Sequence, residues 1–210
     1  MLSFPTASEL RKRIPKKVLY EKLPLTPALK RCIVEQIKAV TWSHKLTADT
    51  LHVSLGQAVD ELQVFEISLT SRELNGELLR LMESMIPYHI LFLLEHGDRY
   101  QAHISFYWKP SDGKVKIRSC FHSHGWQALE NLPCRLTGLS LDSVYENLVR
   151  QLAGDVLRND LPLAQAVGEM DRLRKLSTKI ATLQRKIARE KQPHRKRELH
   201  KQLSTLKSQL

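Results

Sequence analysis

Glu66 lies in QVFEISL (residues 63–69), an alternating run with the pattern of a β-strand, and Asp49, Asp60 and Glu61 precede it. Strand carboxylates followed by a helix and a second strand can hold Mg²⁺, and a lysine two residues after the glutamate then activates or orients water. Ser68 stands where that lysine would be, so hydrolysis would need a base from elsewhere. A divergent Mg²⁺-dependent, restriction-type nuclease using Glu66 with Asp49 or Asp60 is one expectation. The competing expectation is a Glu66 satisfied by local hydrogen bonds in an ordinary packed strand. Cys120, His122 and His124 alternate, which in a strand would put three metal-ligating side chains on one face. No fourth ligand is evident, and the alternative is a half-exposed strand face beside Gly125-Trp126. His89 and His103, in apolar strands, read as core or edge histidines rather than general bases. Tyr100, Phe106, Tyr107 and Trp108 could stack on bases, but their acidic surroundings favour packing within the core. GxSxG, HExxH, Walker A and GxGxxG runs are absent, which removes most familiar nucleophilic and nucleotide-dependent enzyme classes. No cofactor is expected.

The charge is distributed unevenly. The 210 residues carry 33 Lys and Arg, 22 Asp and Glu, and a formal net charge of +11. Residues 1–45 hold ten basic side chains against three acids, residues 46–170 ten against sixteen, and residues 171–210 thirteen against three. An acidic centre therefore lies between two basic ends. Arg11, Lys12, Arg13, Lys16 and Lys17 form the first cluster. Arg174, Lys175, Lys179, Arg185, Lys186, Arg189, Arg195, Lys196 and Arg197 dominate the second. Such clusters can hold phosphates without reading bases, or dock an acidic partner protein. The longest strongly apolar run, residues 86–94, is far shorter than the roughly 18–20 residues of a membrane helix. No export signal is evident, and the three cysteines have no CxxC spacing, so reduced thiols and a cytoplasmic location are expected.

The elements that must position these residues read as α+β or α/β: a mixed sheet of about five strands with flanking helices, followed by a basic helical hairpin or coiled coil. Residues 1–26 read as a basic arm, beginning with a short helix or turn after Ser8 and broken by Pro15. Residues 27–160 read as the sheet domain and 163–210 as the hairpin. Thr26 and Pro27 open a helix whose apolar face, Leu29, Ile33, Ile37 and Val40, predicts that it runs on toward Leu46. Strands are expected at 51–55, 62–69, 86–94, 100–109 and 114–126, with tight turns at Gly97-Asp98 and Ser111-Asp112-Gly113. A helix capped by Ser71, with Leu74, Leu78, Leu81 and Met85 inward, separates the second strand from the third. That order predicts a parallel crossover. A helix capped by Asp142 closes the domain. Val167, Met170, Leu173, Leu176, Ile180, Leu183 and Ile187 then recur at helical spacing, and Leu199, Leu203, Leu206 and Leu210 resume it after Pro193. Proline starts a helix more readily than it interrupts one, so the chain should turn near Gln192.

RKRIPKK (residues 11–17), TWSHKL (41–46), QVFEISL, IPYHILFLL (86–94), LDSVYENLVRQLAG (141–154) and EKQPHRKRELHKQL (190–203) occur in an order that resembles the bacterial domain-of-unknown-function family numbered 4391. The resemblance spans nearly the whole chain and transfers no catalytic residue. It implies a setting near helicase and DNA-modification genes of restriction or phage-defence type. The leading expectation is a non-catalytic accessory or adaptor subunit that uses its basic ends on DNA or on a protein partner such as a helicase or DNA-modification component. A coiled-coil protein that self-associates through its C-terminal helices, with no nucleic-acid role, is the third alternative.

Overall fold

The computed structural model describes residues 4–108 and 116–209. The chain divides into two compact units, Met1–Gly154 and Asp155–Leu210.

The first unit is built on a six-stranded mixed sheet. Its strands are β1 (Glu9–Ile14), β2 (Ile37–Leu46), β3 (Leu62–Leu69), β4 (His89–His96), β5 (Arg99–Trp108) and β6 (Lys116–His122), and they lie side by side in chain order. Neighbours are antiparallel except β3 and β4, which run parallel from Leu62 opposite His89 to Ser68 opposite Glu95. The helices of this unit are α1 (Lys16–Lys22), α2 (Pro27–Gln36), α3 (Ala48–Leu51), α4 (Gly76–Met85) and α5 (Leu141–Ala153). The parallel crossover through α4 is the one the sequence pattern required. β4 and β5 form a hairpin through Gly97, whose φ of 65° suits a residue without a β-carbon. The expected turn at Ser111-Asp112-Gly113 lies outside the described residues.

The sheet departs from expectation at its first edge. Residues 9–14, read as helix or turn within an arm, form the edge strand β1, whose row of exposed charges disguises it. The helix opened by Thr26, whose Oγ1 accepts from the Leu29 amide at 3.3 Å, stops at Gln36. Ile37, Val40, Thr41 and Trp42 then suit a pleated surface, and β2 begins without a loop. Thr70 receives the end of α2: its amide donates to Gln36 O at 2.9 Å and its hydroxyl to Glu35 O at 2.5 Å. The strand expected at 51–55 is replaced by α3 and a left-handed residue, His52, because Thr47 and Thr50 cap each other in a capping box. Six strands rather than about five result.

Each face of the sheet is covered differently. Ile37, Val40, Phe65, Ile67, Leu69, Phe92 and Leu94 share one apolar face with Leu29 and Ile33 of α2 and Leu78, Leu79 and Met82 of α4. Helix α4 begins later than expected, capped by Asn75 rather than Ser71, and rotates its buried stripe: Met85 is exposed while Glu83 is 2% exposed. Ser105 Oγ donates to that carboxylate at 2.8 Å. On the opposite face Tyr145 of α5 meets His89 in a tilted ring contact at 4.2 Å and donates its hydroxyl to Ser105 O at 2.7 Å. The aromatics Phe106 and Tyr107 are buried.

Ser140, not Asp142, caps α5. Asp142 instead accepts from the backbone amides of Gln57 at 2.7 Å, Ala58 at 3.1 Å and Val59 at 2.8 Å. A β-carbon on Gly56 would lie 2.3 Å from Val59 O and 2.6 Å from Asp142 Oδ1, so only glycine fits beside this clamp.

The second unit is a helical hairpin of α6 (Leu163–Arg189) and α7 (Pro193–Lys207). Pro193 is the first residue of α7, and Arg172 Nη1 donates to Gln209 O at 3.3 Å across the open end. Leu176, Ile180 and Ile187 are buried along the seam, and Leu173, Leu183, Leu199, Leu203 and Leu206 are partly buried.

Asp142→Ala leaves three amides of an ordered loop without their charged acceptor and should lower unfolding free energy by about 2 kcal/mol in urea denaturation, with Asp142→Asn losing less. Burial pushes the Glu83 carboxyl up to about 7 from 4.5, against the opposing Ser105 hydrogen bond. The folded state therefore holds a proton that the unfolded chain releases near pH 4.5, and stability falls as pH rises from there through 7. Glu83→Gln should gain about 3 kcal/mol relative to the parent across that window, read from urea midpoints at stepped pH.

Candidate functional site

Glu66 occupies the middle of β3, beside Thr41 of β2 and Leu93 of β4. Its side chain lines a cavity of about 380 Å³ together with Phe4, Thr6, Glu9, Arg11, Thr41, Ser43, His44, Leu93 and Leu129. Two backbone irregularities make this cavity. In β2 the pairing passes from Trp42–Phe65 to His44–Val64, so Ser43 is an extra residue and both Ser43 and His44 reach the cavity wall. In β1 the register shifts between Glu9 and Lys12, and Arg11 adopts a φ of 46°. Arg11 Nε donates to the Glu9 carboxylate beside it.

The electrostatics of the wall separate its two central groups. Burial pushes the Glu66 carboxyl up, the Ser43 hydroxyl opposes this, and the nearby Glu95 charge adds to it. Glu95 itself accepts from Ser68 Oγ at 2.5 Å. Burial pushes the His44 imidazole down, partly offset by Glu9. The His44 Nδ1 atom is buried without a hydrogen-bond partner among the described residues, and the ring meets Phe4 edge-on at 5.1 Å. A carboxyl held toward its neutral form and an imidazole held toward its neutral form thus share one wall, suited to accepting and donating hydrogen bonds.

The acids singled out with Glu66 are elsewhere. Leu46 pairs with Leu62, and both Asp49, in α3, and Asp60, before β3, lie beyond that end of the strand pair. Glu66 is four residues further along β3, about 13 Å at strand rise. The second carboxylate in the cavity is Glu9, a residue that stood in the presumed arm and carried no signal of its own. Lys45 pairs with Glu61 at 2.7 Å, outside the cavity. Cys120 and His122 do share a face of β6, whereas His124 follows the strand's end. Among the described residues no group of three or more His, Cys, Asp or Glu side chains is placed to hold a metal ion.

The basic residues fall in both units. Arg11, Lys12 and Arg13 are on β1 and Lys16 and Lys17 open α1. In the hairpin, Arg174, Arg185 and Arg189 follow at intervals of eleven and four, which places them opposite the apolar seam. Lys175, Lys179 and Lys186 follow at four and seven, along its flank. Arg195, Lys196 and Arg197 follow Pro193 and His194 at the start of α7, and all nine side chains are exposed. Among the described residues none of the nine forms an ion pair with an acid.

The architecture is thus that of an α+β protein in two units, a mixed-sheet unit with a polar cavity and a cationic helical hairpin. Residues 2–210 match the model of the domain of unknown function DUF4391, and the chain belongs to that family. No curated protein and no solved structure matches it. No helix among the described residues is long and apolar enough to cross a membrane.

The cavity makes a directional prediction. In a ¹³C NMR titration the Glu66 carboxyl should have its midpoint above the ordinary glutamate range, and Ser43→Ala should move it further up by removing a hydrogen bond to the charged form.

Proposed function

We propose that the chain is a non-catalytic accessory subunit of a DNA-processing assembly of the phage-defence kind, holding nucleic-acid phosphates through its C-terminal hairpin. The carrying observation is the arrangement of α6 and α7: nine exposed cations, none of them in an ion pair among the described residues, spaced along a stiff scaffold whose seam holds Leu176, Ile180 and Ile187. An α-helix of 27 residues extends about 40 Å, enough to follow several phosphates. Lysine and arginine in this setting position a protein on a backbone without choosing a sequence. Specificity then belongs to the protein it accompanies, such as a helicase or DNA-modification component, and the sheet unit supplies the platform for that partner. The carboxylates named for hydrolysis are distributed away from Glu66, which favours this reading over a nuclease.

The test is fluorescence anisotropy of a labelled duplex oligonucleotide with the full chain over a salt series. Binding should fall linearly on a log–log plot, losing a slope of about 0.9 for each phosphate contact removed. Replacing Arg174, Lys175, Lys179, Arg195, Lys196 and Arg197 by Glu should weaken it at least about tenfold while thermal unfolding of the sheet unit is unchanged. Absence of salt-sensitive binding, or affinity untouched by the six reversals, overturns the proposal. So does Mg²⁺-dependent plasmid cleavage that disappears in Glu66→Gln.

A further inference from the structure

We propose that His103 and His122 together form a two-imidazole site for a divalent transition cation of the Zn²⁺ class on the β5–β6 ribbon. Spacing along one strand groups Cys120, His122 and His124, but the partner that the fold supplies to His122 comes from the neighbouring strand. His103 stands directly opposite His122 in the antiparallel register, and their ring centroids are 5.3 Å apart. Zinc bonds imidazole nitrogen at about 2.0–2.1 Å, which puts each ring centre about 3.2 Å from the ion, so two rings on one tetrahedral ion would be separated by about 5.2 Å. The pair stands at that separation already.

Hydrogen bonds prepare both rings for coordination. His103 Nε2 lies 3.0 Å from Gln101 Oε1, and the Gln101 amide is oriented by its own Nε2, which donates to Ser123 O at 3.4 Å. His103 Nε2 must therefore carry the proton, leaving Nδ1 as a bare lone pair. His122 Nδ1 lies 3.2 Å from Ser123 O, an acceptor only, so this nitrogen carries the proton and Nε2 is the lone pair. An oxygen acceptor behind each ring is the arrangement that fixes tautomer and orientation in metal-ligating histidines. His122 is exposed, which gives an ion access from solvent.

The other candidates do not join the pair. Cys120 faces Ser105, whose hydroxyl lies 3.1 Å from its sulfur, and His124 lies beyond the strand. Among the described residues the site thus has two protein ligands, one fewer than the three of a catalytic zinc site, and the remaining positions belong to water or to a donor on a bound molecule.

The experiment is isothermal titration of ZnCl₂ into the full chain without a polyhistidine tag, with Co²⁺ absorption as a second readout. One equivalent should bind. His122→Ala, at an exposed position that leaves the fold intact, should weaken binding at least about tenfold, as should His103→Ala. Cys120→Ser and His124→Ala should leave affinity within about twofold. No saturable equivalent of Zn²⁺, binding indifferent to His122→Ala, or a comparable loss in Cys120→Ser or His124→Ala overturns the site.

Discussion

The parallel pairing of β3 with β4 is the constraint on which the rest of the sheet unit depends. An antiparallel pair can be closed by two residues, but a parallel pair needs a crossover, and α4 with its flanking turns is that crossover. Once Leu62 stands opposite His89, the alternation of both strands is settled. Phe65, Ile67, Phe92 and Leu94 turn toward α2 and α4, while Val64, Glu66, Leu91 and Leu93 turn the other way. A shift of β3 by one residue would put Glu66 under the helices and turn Phe65 to the opposite face, so the cavity and the core are consequences of one register. The antiparallel neighbours on either side inherit it.

Where the pattern of apolar residues had one interpretation, the sequence could be followed to the right structure. β3, the crossover, the β4–β5 hairpin and the turn before Pro193 are such cases. Elsewhere one pattern served two structures. Leu29, Ile33, Ile37 and Val40 fit a helical face, yet the last two fit a strand as well, and tertiary pairing with β3 decided for the strand. β1 was illegible because an edge strand needs few apolar residues, and ELRKRI resembles a solvated tract. Glu83 has no place in the inward stripe of Leu74, Leu78, Leu81 and Met85, because an acid counts as surface in any periodicity argument; inside, it accepts a hydrogen bond from Ser105.

The candidate sites were hidden by a different mechanism. Sequence spacing describes neighbours along one strand, and both sites are made across strands. Glu9 and His44 reach Glu66 only because two bulges alter which side chains face the cavity, and a bulge leaves no trace in alternation. His103 and His122 are nineteen positions apart and become neighbours through the register of β5 and β6. The cationic hairpin was legible in full for the opposite reason: its contacts are local, and helical periodicity alone determines which side chains remain for solvent.

The clamp at Asp142 has a bearing on how the protein is made. Its amide donors lie 83 to 85 residues upstream, so the segment around Gly56 cannot be secured until about two-thirds of the chain has been synthesised. Strands β1 to β4 will by then have left the ribosome with α5 still missing, and the sheet face that α5 covers is open to water and to other nascent chains. Helix α5 is thus the element whose arrival ends the vulnerable interval of biosynthesis. A slow-translated stretch before residue 141 would lengthen that interval, and a chaperone that shelters apolar strands would matter most within it.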